Sequence, residues 1–158
     1  MIKHFLFCLL VIAFSAQAQE KLPELKIEKV TDGVYLHKSY SHVEGWGLVS
    51  SNGLIVVEGK SAFILDTPWS ARDTEKLIRW AQSKNYKLLG SISTHSHEDR
   101  TAGIKWLNKH SIATYATSLT NDILQKEGRE QATHAMAGDE FILADGLVEV
   151  FYPGGGHT

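Results

Sequence analysis

Residues 94–100 read Thr94-His95-Ser96-His97-Glu98-Asp99-Arg100, and no other stretch limits so tightly what the chain can become. Three metal-binding side chains, His95, His97 and Asp99, stand at alternate positions. In extended backbone alternate residues point to one side, so two imidazoles and a carboxylate are expected to converge on one small volume. Zinc takes such nitrogen and oxygen donors at about 2.0–2.2 Å. Far along the chain, residues 153–158 read Pro153-Gly154-Gly155-Gly156-His157-Thr158. Glycines let the backbone turn and approach a neighbour closely, so His157 is read as a third imidazole for the same metal. Three protein ligands and one open position describe a catalytic zinc rather than a structural one.

Residues 1–18 stand apart from the fold. Lys3 gives a positive start, residues 5–14 are an unbroken apolar run, and Ala16-Gln17-Ala18 is a small-x-small cleavage signal. This is a secretory signal peptide cut after Ala18, and export to the periplasm is expected. The apolar run is too short for a comfortable membrane span. The single cysteine, Cys8, lies inside it. The exported part therefore forms no disulfide and must be held by a packed core. With 16 basic and 18 acidic residues the net charge is −2, which leaves no electrostatic footprint for nucleic acid and no polybasic tract for an anionic membrane. A small-molecule substrate and a monomer are expected.

Residues 26–30 alternate polar and apolar, and 34–37 resume after the Asp32-Gly33 turn, which makes a hairpin. Residues 48–49 and 54–57 read as two strands joined across Ser51-Asn52-Gly53, and 62–65 as a buried strand ending at Asp66-Thr67-Pro68. Ser70 and Asp73 form a capping-box pattern. It opens a helix with Thr74, Leu77, Ile78 and Ala81 on its buried face. A strand over 88–93 delivers the chain to the histidines. Then follow a helix over 101–110, a strand over 112–115, a helix over 119–127 stopped by Gly128, and strands over 141–143 and 147–152 around Asp145-Gly146. Antiparallel strands followed by alternating helices and strands specify an α/β (α+β) chain, a mixed sheet with helices on its outer face. One domain over 19–158 is expected, truncated at its C-terminal end. Its apolar faces, built from Ile64, Leu65, Leu89, Ile92, Val148 and Val150, would then meet no second sheet, giving a loosely packed chain without turnover.

The pattern His95-x-His97-x-Asp99 followed by Gly156-His157-Thr158 resembles the metallo-β-lactamases. Glu44-Gly45-Trp46-Gly47, Asp66-Thr67-Pro68, Gly103-Ile104-Lys105-Trp106-Leu107-Asn108 and Val150-Phe151-Tyr152-Pro153-Gly154 look like the acquired, carbapenem-hydrolysing branch. Arg100 stands where the wider superfamily usually has a further histidine, which is similar to that branch. The resemblance implies an αββα sandwich with only its N-terminal part present, and two zinc ions. By it, His95, His97 and His157 hold the first zinc. Asp99 ligates the second and helps orient the nucleophile. The reaction implied is hydrolysis of the β-lactam amide of penicillins, cephalosporins and carbapenems. The family's remaining ligands, a cysteine and a histidine, are expected beyond Thr158. A thioesterase resembling glyoxalase II and a non-catalytic zinc-binding protein are the rival readings. Arg100 and export count against the first, and the open three-histidine set against the second.

Other residues carry expectations of their own. Trp46, between two glycines, is read as the indole of a mobile flap over the substrate, as the resemblance implies. Asp66 is read both as a turn residue accepting backbone N–H bonds and as an acceptor that orients the ligand loop. Glu98 is expected to face solvent, and Ser96 not to act as a nucleophile. Trp69, Trp80 and Trp106 are assigned to packing, and His37, His42, His110 and His134 to surface or loop positions. Arg100 is either a solvated charge or a neutraliser of nearby acids.

Overall fold

The first four strands, β1 (Lys26–Thr31), β2 (Val34–Val43), β3 (Gly47–Glu58) and β4 (Ser61–Leu65), pair in chain order as an antiparallel meander. The computed structural model describes residues 21–154; residues 1–18, read above as a signal peptide, and His157 lie outside the described residues. After β4 the chain crosses back through α1 (Ala71–Ser83) to β5 (Lys87–Ile92). It continues through α2 (Glu98–Thr101) and α3 (Ile104–Lys109) to β6 (Thr114–Thr117), and through α4 (Ser118–Lys126) to β7 (His134–Met136). β5, β6 and β7 extend the sheet in parallel beyond β4, so the strand order follows the chain from β1 to β7. A separate antiparallel pair, β8 (Glu140–Leu143) and β9 (Val148–Phe151), follows.

The α1 helix starts where the capping pattern places it, with Ser70 Oγ accepting the Asp73 amide at 3.1 Å. Thr74, Leu77, Ile78 and Ala81 are all buried. Leu77, Ile78 and Ala81 pack with Leu107 of α3 onto Ile55, Ala62 and Ile64 of the sheet. Strand alternation sends Phe63 to the opposite face, where Phe63, Ile92 and Met136 pack against Leu143 and Val148 of the β8–β9 pair. Helices thus cover one face of a mixed sheet and a second, small sheet begins on the other. At the end of α4, Gly128 adopts a left-handed φ of 67°. Its amide reaches Gln125 O at 3.1 Å, and that of Arg129 reaches Leu124 O at 2.8 Å, the two bonds of a Schellman stop.

Four expectations change. Residues 47–58 form one strand, with no turn at Ser51-Asn52-Gly53. The glycine there answers to a neighbour, since a Cβ on Gly53 would lie 2.4 Å from His37 Nε2 and 2.7 Å from Asp66 O. The helix expected over 101–110 is two short pieces, α2 and α3, parted at Ala102 and Gly103. A Cβ on Gly103 would sit 2.5 Å from Thr74 Oγ1, so the chain passes close against α1. β7 was not foreseen, because three residues carry no readable period. The apolar faces are also not left bare. Ile64 is fully buried beneath the helices, and Ile92 and Val148 are buried where the β8–β9 pair folds back over the sheet. Leu65, Leu89 and Val150 pack around them.

Ser70→Ala is expected to cost about 1 kcal/mol of stability through the lost cap, and Gly53→Ala about 1–3 kcal/mol through overpacking. Urea unfolding measures both. A Gly53→Ala midpoint equal to that of the parent would refute the close approach to His37.

Candidate metal centre

Parallel strands β4 and β5 end side by side, and the amide of Asp66 donates to Ile92 O at 2.8 Å. β4 stops because Asp66 turns left-handed, at φ 64°, a conformation that aspartate tolerates better than most non-glycine residues. This turn presents the Asp66 carboxylate to the loop after β5. One oxygen accepts the Thr94 amide at 2.7 Å, and the other accepts the Thr94 hydroxyl at 3.0 Å. Asp66 thus accepts a backbone N–H, and the donor lies in the loop that carries the histidines. The hydroxyl has one proton, and Asp66 takes it. The 3.1 Å contact between Thr94 Oγ1 and His95 Nδ1 then has the imidazole as donor. His95 is left with its lone pair on Nε2, the nitrogen able to bind a metal.

The ligand atoms of His95, His97 and Asp99 all lie within 4.8 Å of one another. The two imidazoles stand edge to face, their centroids 4.9 Å apart. Convergence was expected from an extended run, and the means is different. Residues 94–97 are bent, and Asp99 lies in the helical turn α2. The His97 carbonyl opens that turn by accepting the Arg100 amide at 3.0 Å and the Thr101 amide at 3.2 Å. A bend followed by a helical turn folds the third donor back toward the first two.

Arg100 resolves as a neutraliser of acids. Its Nη2 lies 3.3 Å from Asp99 Oδ2 and its Nη1 3.7 Å from Asp66 Oδ2. It also donates to Asn52 O, and to Ser51 Oγ at 3.3 Å. Ser51 Oγ in turn stands 3.2 Å from Asp99 Oδ2 as donor. Burial pushes the Asp66 carboxyl above its usual value, while the bonds from Thr94 and the charge of Arg100 pull it back down.

His37 is a correction. It is 1% exposed, not a surface residue, with Nε2 2.9 Å from Asp66 O. Donation to that carbonyl braces the left-handed turn from beneath. Burial lowers its pKa to about 4; the bond to Asp66 opposes the shift and the charge of Arg100 adds to it. Trp46 is 82% exposed at the β2–β3 turn. Glu98, His42, His110 and His134 are exposed. Trp69, Trp80 and Trp106 are half-buried; Trp80 meets Tyr35 edge-on and Trp106 stacks on His110. Ser96 is buried, at 4% exposure. Thr94, Ser51 and Arg129 escaped the sequence reading. Only Thr94 carried a signal, as a hydroxyl beside the first histidine.

A metallo-β-lactamase type 2 of Pseudomonas aeruginosa is 45% identical over 156 residues, covering 99% of this chain and 63% of its own length. The solved structure of TMB-1 is 66% identical and superposes with a TM-score of 0.85, over 87% of this chain and 63% of that one. Over nearly its whole length the chain is similar to the metallo-β-lactamases. A further metallo-β-lactamase, FIM-1 from Pseudomonas aeruginosa in its mono-zinc form, is 32% identical with a TM-score of 0.80, over 89% of this chain and 64% of that one. No family model matches the chain. It spans 63% of the length of the first of these metallo-β-lactamases.

His37 makes stability depend on pH. Its folded pKa of about 4 lies below the ordinary 6.5, so the unfolded chain takes up the proton first. Stability is full above the ordinary value and falls as pH drops from there toward the folded one, by roughly 1.4 kcal/mol per unit. Urea unfolding between about pH 7 and about pH 5 should show this slope. His37→Gln, which keeps an amide donor for Asp66, should flatten it; an equal slope in both proteins would remove His37 as the source.

Proposed function

We propose that the protein is a zinc-dependent β-lactamase hydrolysing the amide bond of penicillins, cephalosporins and carbapenems. The observation that carries this reading is the approach of two imidazoles and a carboxylate to within 4.8 Å at the ends of two parallel strands, in a chain similar to the metallo-β-lactamases. The donor set suits zinc by type. Two atoms on one zinc stand at most about 4.2 Å apart. The group therefore admits one ion after a small closure, or two neighbouring ions with Asp99 on the second. His95 and His97 would hold the first together with His157. The mono-zinc form of FIM-1 supports zinc as the metal.

Zinc, when bound, supplies polarisation of the lactam carbonyl and lowers the pKa of a bound water to about 7. The chain's own residues do the rest. Thr94 fixes the tautomer of His95 through its contact with Nδ1. Arg100 and Ser51 hold Asp99 as an oriented carboxylate, placed to align an attacking water and accept its proton. Trp46, exposed on its turn, would close over the apolar part of the substrate. Ser96 is buried and supplies no nucleophile. Cleavage after Ala18 would release a periplasmic monomer.

Turnover of a chromogenic cephalosporin tests the activity. His95→Ala, His97→Ala and His157→Ala should each abolish it, and a chelator should do so reversibly; activity that survives chelation would overturn the zinc mechanism. Asp99→Ala should cost about 100-fold or more in kcat. Trp46→Ala should raise KM with kcat nearly unchanged, and the reverse pattern would assign Trp46 a different role.

A further inference from the structure

We infer that Arg129 is a positioning residue for the metal ligands, reaching from the end of α4 to hold the peptide carbonyl between His95 and His97. The inference rests on the metal-binding reading above. Arg129 follows the left-handed Gly128, and its amide is pinned to Leu124 O at 2.8 Å. The guanidinium is thereby launched from a fixed backbone. Its Nη1 donates to Ser96 O at 2.8 Å, and its Nη2 donates to Thr101 Oγ1. Thr101 Oγ1 in turn stands 2.9 Å from His97 O as donor. One planar fork thus reaches two consecutive carbonyls of the ligand loop, directly and through a hydroxyl. A lysine, with a single ammonium, cannot reproduce that fork.

The Ser96 carbonyl belongs to the same peptide plane as the His97 amide, so fixing it fixes the direction in which the His97 side chain leaves the backbone. Residues 94–97 make no helix or strand of their own. They are tied from below by Asp66 at Thr94 and from the side by Arg129 at Ser96, with His95 between the two ties. Hydrogen bonds from a charged donor are the stronger kind. Arg129 also pairs with Glu127 at 2.8 Å, which keeps its charge balanced without touching the loop.

Three variants of the full chain test this: Arg129→Ala, Arg129→Lys and Glu127→Gln. Zinc affinity is read by competition with a chromogenic chelator, and amide hydrogen exchange over residues 94–98 is read in the metal-free protein. Arg129→Ala should weaken zinc binding about 10-fold and speed exchange in the loop while the β3 and β4 amides keep their protection. Arg129→Lys should recover part of both, and Glu127→Gln should match the parent. Should Arg129→Ala fail to fold, Thr101→Val removes the hydroxyl link alone and should show a smaller loss of the same two kinds. Unchanged affinity and loop exchange overturn the inference, as does faster exchange spread evenly over the sheet, which would make Arg129 a general anchor of α4. A parent chain that takes up no zinc overturns the metal reading itself, whereas zinc uptake by the parent with Arg129→Ala unchanged overturns this inference alone.

Discussion

A buried carboxylate in a left-handed turn holds the site together. Asp66 ends β4 at φ 64°, a backbone state that costs an ordinary residue on the order of 1–3 kcal/mol. Burial adds a further penalty on its charge. What offsets these costs is the company it keeps: the Thr94 amide and hydroxyl at 2.7 and 3.0 Å, the Arg100 guanidinium, and its own amide on β5. Each of those partners belongs to the second strand of the pair, to the loop that leaves it or to the helical turn α2 that follows. The turn therefore does not merely end a strand; it sets the height and direction at which the histidine loop departs.

A directional column runs through that turn. Neutral His37 donates upward to the Asp66 carbonyl, the Asp66 carboxylate accepts from Thr94, and Thr94 accepts from His95. Each group has one sensible role once its neighbour's is fixed, and the last link puts the His95 proton on Nδ1. Beside the column, Arg100 lies between Asp66 and Asp99. Without a cation there, two carboxylates would share a partly buried space, and one would be driven toward its protonated form. The same cation makes a charged His37 more costly, which agrees with its lowered pKa.

Local chemistry was legible wherever cause and effect lie within a few residues. The Ser70 cap, the buried stripe of α1, the Gly128 stop and the buried apolar run of β4 follow from near neighbours. So does the nearness of His95, His97 and Asp99, although the backbone that achieves it is a bend and a helical turn. The misreadings share a cause as well. Ser51-Asn52-Gly53 looks like a turn because small polar residues and glycine also make turns. Here the glycine makes room for His37 and Asp66 instead, and nothing nearby in the chain says so. The apolar faces were expected to lie bare because the return of β8 and β9 over the sheet is a matter of chain path, not of local pattern.

The sequence by itself determined the donor set, the class of fold and the places where helices start and stop, because these depend on side-chain type and on spacings shorter than a helical turn or two. Only the tertiary structure decided which residues hold the donors in place. His37 lies 29 residues from Asp66, Ser51 lies 48 from Asp99, and Arg129 lies 33 from Ser96. Those pairings exist because β2, β3 and α4 are packed beside the ends of β4 and β5. Hydrogen bonds act over about 3 Å, so their partners are set by packing and not by separation along the chain.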